Sequence, residues 1–502
     1  MTPNRDIKRD GMRGRNFLAF DLGAESGRAV LGRLENETIS IRELHRFPNG
    51  PLSLFGHLHW NIYNLFEDIK KGMKVCVSET GAELESLAVD TWGVDFGLLA
   101  GDGSILGLPY AYRDPRNTQA MKKFLDIFPK ERIYELTGIQ FMPFNSLFQL
   151  YALVLDDSPF LKAATDLLFM PDLFTYLLTG VKTTETTIAS TSQLYNPRLR
   201  SWNKELFTAL GISGSIMQSP LRPGTVIGPI LAPVSEETGL AAVPAVATAG
   251  HDTGSAVAAV PARSKDWAYI SSGTWSLMGI ESPQPLITPQ TLRLNFTNEG
   301  GFEGTTRFLK NVTGLWLIQQ CRKKWSSNRP LSYDEMRVMA ASAPPFKAMI
   351  DPDAPDFLNP PDMPAAIQNF CRRTGQEVPA AAGEILRCAI ESLALKYRVV
   401  LEQLKQVSPH PIEKIHIIGG GSQHVTLCQF TADATSLPVV AGPVEATAIG
   451  NIMGQALALG YVRSLDEIRT IIANSAELQT YEPQQTTAWQ AAYDRFKEIV
   501  EQ

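Results

Sequence analysis

Five cysteines in 502 residues, an odd number and none in a Cys-x-x-Cys pair, leave neither a disulfide framework nor a zinc-site spacing. Such usage fits a reducing compartment, so the protein is expected in the cytoplasm. Whether Cys371 and Cys388 meet in space is left open by the sequence. Basic residues are in the minority, 46 Lys and Arg against 52 Asp and Glu, and the net charge of −6 gives no footprint for nucleic acid. No uninterrupted apolar run is long enough to cross a bilayer, which removes the membrane as an expected partner. No Gly-x-x-x-x-Gly-Lys-Ser/Thr occurs, so there is no Walker A loop. The start, Met1 to Arg15, is polar and basic without an apolar core; it reads as a frayed extension and not as a signal peptide.

What the chain does contain is a small hairpin written twice. One copy is Asn16-Phe-Leu-Ala-Phe-Asp21-Leu-Gly-Ala-Glu-Ser26-Gly-Arg-Ala-Val-Leu-Gly32, the other Trp267-Ala-Tyr-Ile-Ser271-Ser-Gly-Thr274-Trp-Ser-Leu-Met-Gly279. Each reads as an apolar strand, a turn of small residues, and a second apolar strand. Turns of this kind present backbone N–H groups and hydroxyls without side-chain bulk, and a ring of N–H dipoles favours an anion. Either turn alone is an ordinary glycine hairpin. The pair, half a chain apart and with Asp21 at the end of the first strand, points to a duplicated fold that grips phosphate from two sides. A carboxylate beside phosphates requires a cation between them, for which Mg²⁺ is the usual choice. A strand and not a helix follows the glycines, so this is no dinucleotide-binding turn.

The length allows two large domains or three small ones. Residues 16–100 read as strands, with Glu85-Ser-Leu-Ala-Val-Asp90 again an apolar strand ending in an acid. Residues 118–180 read as mostly helical, with a helix opened by Asn145 or Ser146. A boundary is expected near Val260–Asp266, giving domains 16–260 and 261–490. The clearest helix is 383–405, where Leu386, Ile390, Leu393, Tyr397, Val400, Leu401 and Leu404 form one apolar stripe destined for the core. Strands and helices alternate in both halves, which makes the fold class α/β.

Chemistry concentrates in three places. Gly250-His251-Asp252-Thr253-Gly254-Ser255-Ala256 follows an apolar strand, and a carboxylate there can take a proton from a hydroxyl that attacks phosphorus. Asp252 reads equally well as the N-cap of a helix beginning before Ser255, and His251 taken alone is a packing residue. Gly419-Gly420-Gly421 ends a strand; a nucleotide could approach it closely, though a plain strand-to-helix turn is the better reading of a lone triplet. Ala441-Gly-Pro-Val-Glu-Ala-Thr-Ala-Ile-Gly-Asn451 sets small residues beside polar ones, as a helix start next to a ligand would.

Taken together, Asp90-Thr-Trp-Gly-Val-Asp-Phe, Gly138-Ile-Gln-Phe-Met-Pro-Phe-Asn145, Met170-Pro-Asp, Ser271-Ser-Gly-Thr-Trp-Ser-Leu-Met-Gly, Asn298-Glu-Gly-Gly, Leu309-Lys-Asn-Val-Thr-Gly-Leu-Trp316 and Gly442-Pro-Val-Glu-Ala-Thr resemble the FGGY carbohydrate kinases, from about Phe17 to Glu482. The resemblance implies two ribonuclease-H-like domains of the actin and hexokinase type, with ATP and Mg²⁺ as cofactors and a ketose as the other small-molecule partner. The implied reaction is phosphorylation of the C1 hydroxyl, of L-rhamnulose before L-fuculose or a pentulose, by a monomer or weak homo-oligomer. It implies Asp252 as general base and Gly93, His251, Thr253 and Asn311 at the sugar. It also implies Ala24, Glu25, Ser26, Gly27 and Arg28 as the first phosphate loop, Thr274 in the second, Gln319 and Gly420 at the nucleotide, and Asp21 at Mg²⁺. Glu25 departs from the small polar residues usual in that loop and is expected to point outward or to pair with Arg28. An actin-like scaffold without sugar chemistry is the rival of another class; it would have no need of Asp252.

Overall fold

The computed structural model describes residues 14–81, 83–326 and 331–500. Of the expected extension, residues 1–13 lie outside that description, and Arg15 already belongs to the first strand. The chain divides into two compact units. One comprises the residues up to Arg263 with Glu281–Phe308 and Ala446–Ser475; the other comprises Ser264–Ile280, Leu309–Glu445 and the chain from Ala476. The first unit therefore takes in two later segments besides the expected 16–260. One of them, helix Ala446–Ala458, is bound into the first unit by specific contacts: Gln455 donates to Leu18 O at 3.1 Å and accepts from Ser86 Oγ at 2.8 Å. Its Gly450 rests on the carbonyl of Ser255, with no room for a Cβ between them.

The first unit is built on β1 (Arg15–Leu22), β2 (Ser26–Glu35), β3 (Thr38–Pro48), β4 (Ser86–Thr91), β5 (Thr225–Pro229) and β6 (Pro244–Ala247), in the order β5-β6-β4-β1-β2-β3. β1 is antiparallel to β2 and parallel to β4; β4 is parallel to β6, and β6 antiparallel to β5. The run Phe17–Phe20 is buried on both faces of the sheet, which is why it reads as continuous and not alternating hydrophobicity. The second sheet is seven-stranded: β7 (Trp267–Ser272), β8 (Trp275–Ser282), β9 (Thr306–Thr313), β10 (Lys414–Ile418), β11 (Val439–Ala441) and β12 (Gln479–Tyr481) run in the order β9-β8-β7-β10-β11-β12, with the short strand Thr297–Gly300 added at the β9 edge. β7 is antiparallel to β8 and parallel to β10; β10 is parallel to β11, and β11 antiparallel to β12. The two sheets thus share one plan, and the twin hairpins occupy the same place in each.

The expectation of strands throughout 16–100 is corrected by a 19-residue helix, Ile62–Thr80. Its buried face is Ile62, Leu65, Ile69, Met73 and Cys76, at the three-to-four spacing of a helix. The Asn61 side chain caps its start by accepting from Asn64 N, and Gly81 ends it at φ +65°. Helix Ser146–Leu155 begins after Asn145 as expected, but Asn145 spends its amide on Gln140 O and Gln193 Oε1 and not on a cap. Helix Ala382–Lys405 buries its whole expected stripe. All five cysteines are buried free thiols. Among the described residues no helix is long and apolar enough to cross a membrane.

Candidate active site

In the first unit the sheet register sets Asp21 opposite Arg28 on one side and Asp90 on the other. Arg28 donates to Asp21 Oδ2 through Nε at 3.0 Å and Nη2 at 2.7 Å. Glu25 is exposed, so the pairing partner of Arg28 is Asp21 and the Glu25 carboxylate turns outward. The turn is tightened by Gly23 N to Ser26 O at 3.0 Å and held from outside by Asn49, which donates to Gly23 O at 2.7 Å and to Glu25 O at 3.0 Å. Ala24 and Glu25 form its tip, whereas Ser26, Gly27 and Arg28 already open β2. Gly27 lies against the Phe47 ring, where a Cβ would overlap it, so its lack of a side chain is first a packing requirement.

Asp90 and Asp252 both lie close enough to Asp21 to feel its charge. Asp90 is fully buried; Asn451 Nδ2 donates to one of its oxygens at 2.5 Å and the other has no partner among the described residues. Loss of water, then the charge of Asp21, raises its pKa well above the usual range. Asp252 is raised too, first by loss of water and further by Asp21, against the opposing hydrogen bonds from Thr253. Its side chain nevertheless remains 30% exposed.

Asp252 is the first residue of helix Asp252–Ala258, after His251 at the N-cap. Its Oδ1 accepts from Thr253 N at 2.5 Å and from Thr253 Oγ1 at 3.1 Å, and His251 Nε2 lies 3.3 Å from the same oxygen. Among the described residues none donates to Oδ2. The helix-start role and a role as base are therefore compatible, since each uses a different oxygen.

His251 is held from behind by residues that sequence reasoning did not single out. Glu299 Oε2 lies 3.2 Å from His251 Nδ1, and Arg307 Nη2 lies 3.1 Å from both that nitrogen and the carboxylate. Burial pushes the Glu299 pKa up, but the Arg307 guanidinium beside it helps hold the group below its ordinary value. Arg307 Nε donates to Gly300 O at 2.8 Å. The backbone is clamped as well: Glu185 accepts from Gly250 N at 2.9 Å and from Thr187, whose Oγ1 accepts from His251 N at 3.2 Å. At Gly93 a Cβ would come within 3.2 Å of His251 Nε2 and 3.4 Å of Thr191 Cγ2, so glycine there lets the chain approach the imidazole. The Asn298-Glu-Gly-Gly segment was a visible signal for Glu299; Glu185 and Arg307 carried none.

In the second unit Thr274 sits in the β7–β8 turn. Its carbonyl accepts from Gly314 N and Trp316 N, both at 3.2 Å, and Leu315 N donates to Gly273 O at 2.9 Å. The end of β9 is braced by Asp353, which accepts from Thr313 N at 2.8 Å and pairs with Lys396 at 3.0 Å. Asn311 lies half-buried on β9. Gln319, on helix Trp316–Trp325, has a buried Oε1 without a partner among the described residues. The three glycines divide their work: Gly419 takes φ +79°, Gly421 presses against the Ser272 side chain, and Gly420 faces open space with nothing within 4 Å. An orphaned acceptor at Gln319 and an open backbone at Gly420 fit a nucleotide. The expected site residues thus fall into two sets, Asp21, 24–28, Gly93 and His251–Thr253 in the first unit, and Thr274, Asn311, Gln319 and Gly420 in the second.

Two sheets of one plan, each with a small-residue hairpin, match known proteins over most of the chain. Residues 16–259 match the N-terminal domain, and 268–459 the C-terminal domain, of the FGGY family of carbohydrate kinases. The chain belongs to that family, whose members are ATP-using sugar kinases. It is 50% identical over 485 residues to a protein of Bacteroides thetaiotaomicron named rhamnulokinase, covering 97% of this chain and 99% of the relative. A rhamnulokinase of Pectobacterium carotovorum is 41% identical over 488 residues, covering 97% and 96%. Among solved structures, a ligand-bound xylulose kinase of Lactobacillus acidophilus superposes with a TM-score of 0.80 at 16% identity, covering 97% of this chain and 98% of that one. A glycerol kinase of Plasmodium falciparum with ADP gives 0.78 at 12% identity, covering 97% and 98%. At such identities the structures speak for the fold.

Proposed function

We propose that the protein transfers the γ-phosphoryl group of ATP to the C1 hydroxyl of L-rhamnulose, yielding L-rhamnulose 1-phosphate and ADP. The relatives named rhamnulokinase support this choice of sugar. The observation that carries the chemistry is the Asp252 carboxylate, tied through Oδ1 and open at Oδ2. Oδ2 accepts the hydroxyl proton as the sugar oxygen forms its bond to phosphorus and the bond from phosphorus to the ADP oxygen breaks. Gly93, His251 and Thr253 take the ketose in this reading, and Asn311 is assigned to the sugar as well. Ala24 to Arg28, Thr274, Gln319 and Gly420 take the nucleotide. Asp21, directly or through water, would be the protein's ligand to Mg²⁺. Asp21 ends β1 beside the small-residue turn, with Arg28 as its partner across the hairpin, which is the placement that supports this role. Bound there, Mg²⁺ would neutralise phosphate oxygens. Five free thiols accord with action in the cytoplasm.

The test is ADP release across a panel of ketoses, with and without Mg²⁺. L-rhamnulose is expected to give the highest kcat/KM, and omission of either sugar or metal to abolish turnover. A clearly higher value for L-fuculose or L-ribulose would replace the substrate while leaving a sugar kinase.

A further inference from the structure

Behind the proposed base stands a buried guanidinium whose function is not exhausted by charge balance. We propose that Arg307 fixes the tautomer of His251, keeping the imidazole neutral with its proton on Nε2 and turned toward Asp252. Arg307 is thereby a positioning residue for the base, and this rests on the reading of Asp252 given above.

The argument is one of donors and acceptors. A guanidinium has five N–H groups and no acceptor. Arg307 Nη2 lies 3.1 Å from His251 Nδ1 in hydrogen-bond geometry, so Nδ1 must offer its lone pair. A neutral imidazole has one N–H, which then sits on Nε2, 3.3 Å from Asp252 Oδ1. The alternatives meet opposition on both sides. With the proton on Nδ1, an N–H would face the Arg307 N–H, and the Nε2 lone pair would face a carboxylate. A doubly protonated ring would keep the first conflict and add a second cation beside Arg307, whose side chain is wholly buried. Glu299 Oε2, 3.2 Å from Nδ1, taken by itself favours a proton there; 3.1 Å from Arg307, it is instead engaged as that residue's counter-ion.

The ring cannot easily turn away. Thr187 holds the His251 backbone N–H, and Gly93 keeps its chain against the Nε2 edge. Thr253 donates to Oδ1, with Nε2 3.3 Å from the same oxygen, and Oδ2 is the oxygen left to accept a proton.

The experiment reads the two ring nitrogens of His251 by ¹⁵N NMR in the full-length protein, the signals assigned by their loss in His251→Gln. The wild type is expected to show a pyrrole-type Nε2 and a pyridine-type Nδ1 at neutral pH. Arg307→Lys, which retains a donor, should keep that pattern, and Arg307→Met should move the proton to Nδ1. Glu299→Gln, which leaves Arg307 in place, should keep the Nε2–H form and guards against failure of the Met variant to fold. An Nδ1–H or doubly protonated ring in the wild type, or a change of tautomer in Glu299→Gln with none in Arg307→Met, would overturn the proposal. Kinetics separate it from the function: a wild-type Nε2–H tautomer alongside an active Asp252→Asn would remove the base assignment and leave the tautomer standing.

Discussion

Asp252 puts its two oxygens to different uses, and a single substitution can separate them. In Asp252→Asn the amide oxygen can still accept from Thr253, so the helix start survives while basicity is lost. General-base catalysis is typically worth about 10²–10⁴ in rate, so kcat should fall by that order. ATP and sugar affinities, measured by calorimetry, should stay within a few-fold; near-normal kcat would leave this residue only its structural task. Asp95 makes a second residue-scale case. It is fully buried, yet accepts from Trp60 Nε1 at 2.5 Å, Trp92 Nε1 at 2.9 Å, Gln149 Nε2 at 2.7 Å and Tyr112 N at 3.1 Å. Loss of water outweighs these donors and raises its pKa to about 6. An unfolded Asp releases its proton near pH ~3.9, so between those values the folded state binds the extra proton and stability falls as pH rises. The span corresponds to roughly 2–3 kcal/mol. Denaturant melts of wild type and Asp95→Asn from pH 4 to 7 should show a shallower decline in the variant; parallel curves would assign the pH dependence to other buried acids.

At the scale of elements, the glycine triplet after β10 shows why a motif and its reason can part company. Gly421→Ala would drive a Cβ into Ser272 at the end of β7 and should destabilise by about 1–3 kcal/mol, as overpacking does. Gly420→Ala meets nothing within 4 Å. It should melt like the wild type while raising the KM for ATP; unchanged KM would remove Gly420 from the nucleotide site. From sequence the three positions are equivalent, because which one is pressed and which is open depends on β7. Both hairpins, by contrast, were legible, since a turn of Gly, Ser and Thr between apolar runs is a local instruction. Helix Ile62–Thr80 was legible in principle from Ile62, Leu65, Ile69, Met73 and Cys76, and a strand reading of 16–100 passed over it.

On the scale of the whole molecule, the first unit is not a segment of chain. A protein ending at Arg263 would lack helix Ala446–Ala458, leaving buried Asp90 without Asn451 and the β1 and β4 contacts without Gln455. Removing one partner of a buried charge costs roughly 3–5 kcal/mol, against a total stability of about 5–15 kcal/mol for a domain. Such a fragment should show no cooperative thermal transition by circular dichroism and poor dispersion in its amide spectrum. A sharp transition would establish that 16–260 folds alone. The sequence by itself determined the α/β class, the duplicated hairpin, the helix 383–405 and the acids at strand ends, because each is written in neighbouring residues as hydrophobic period or turn chemistry. Only the tertiary structure decided that Arg28 meets Asp21, that Asn451 serves Asp90, and that Glu299 and Arg307 stand behind His251. All but the first of those pairings join residues far apart in the chain, and what selects them is the cost of burying a charge or a polar group without a partner, which no local pattern records.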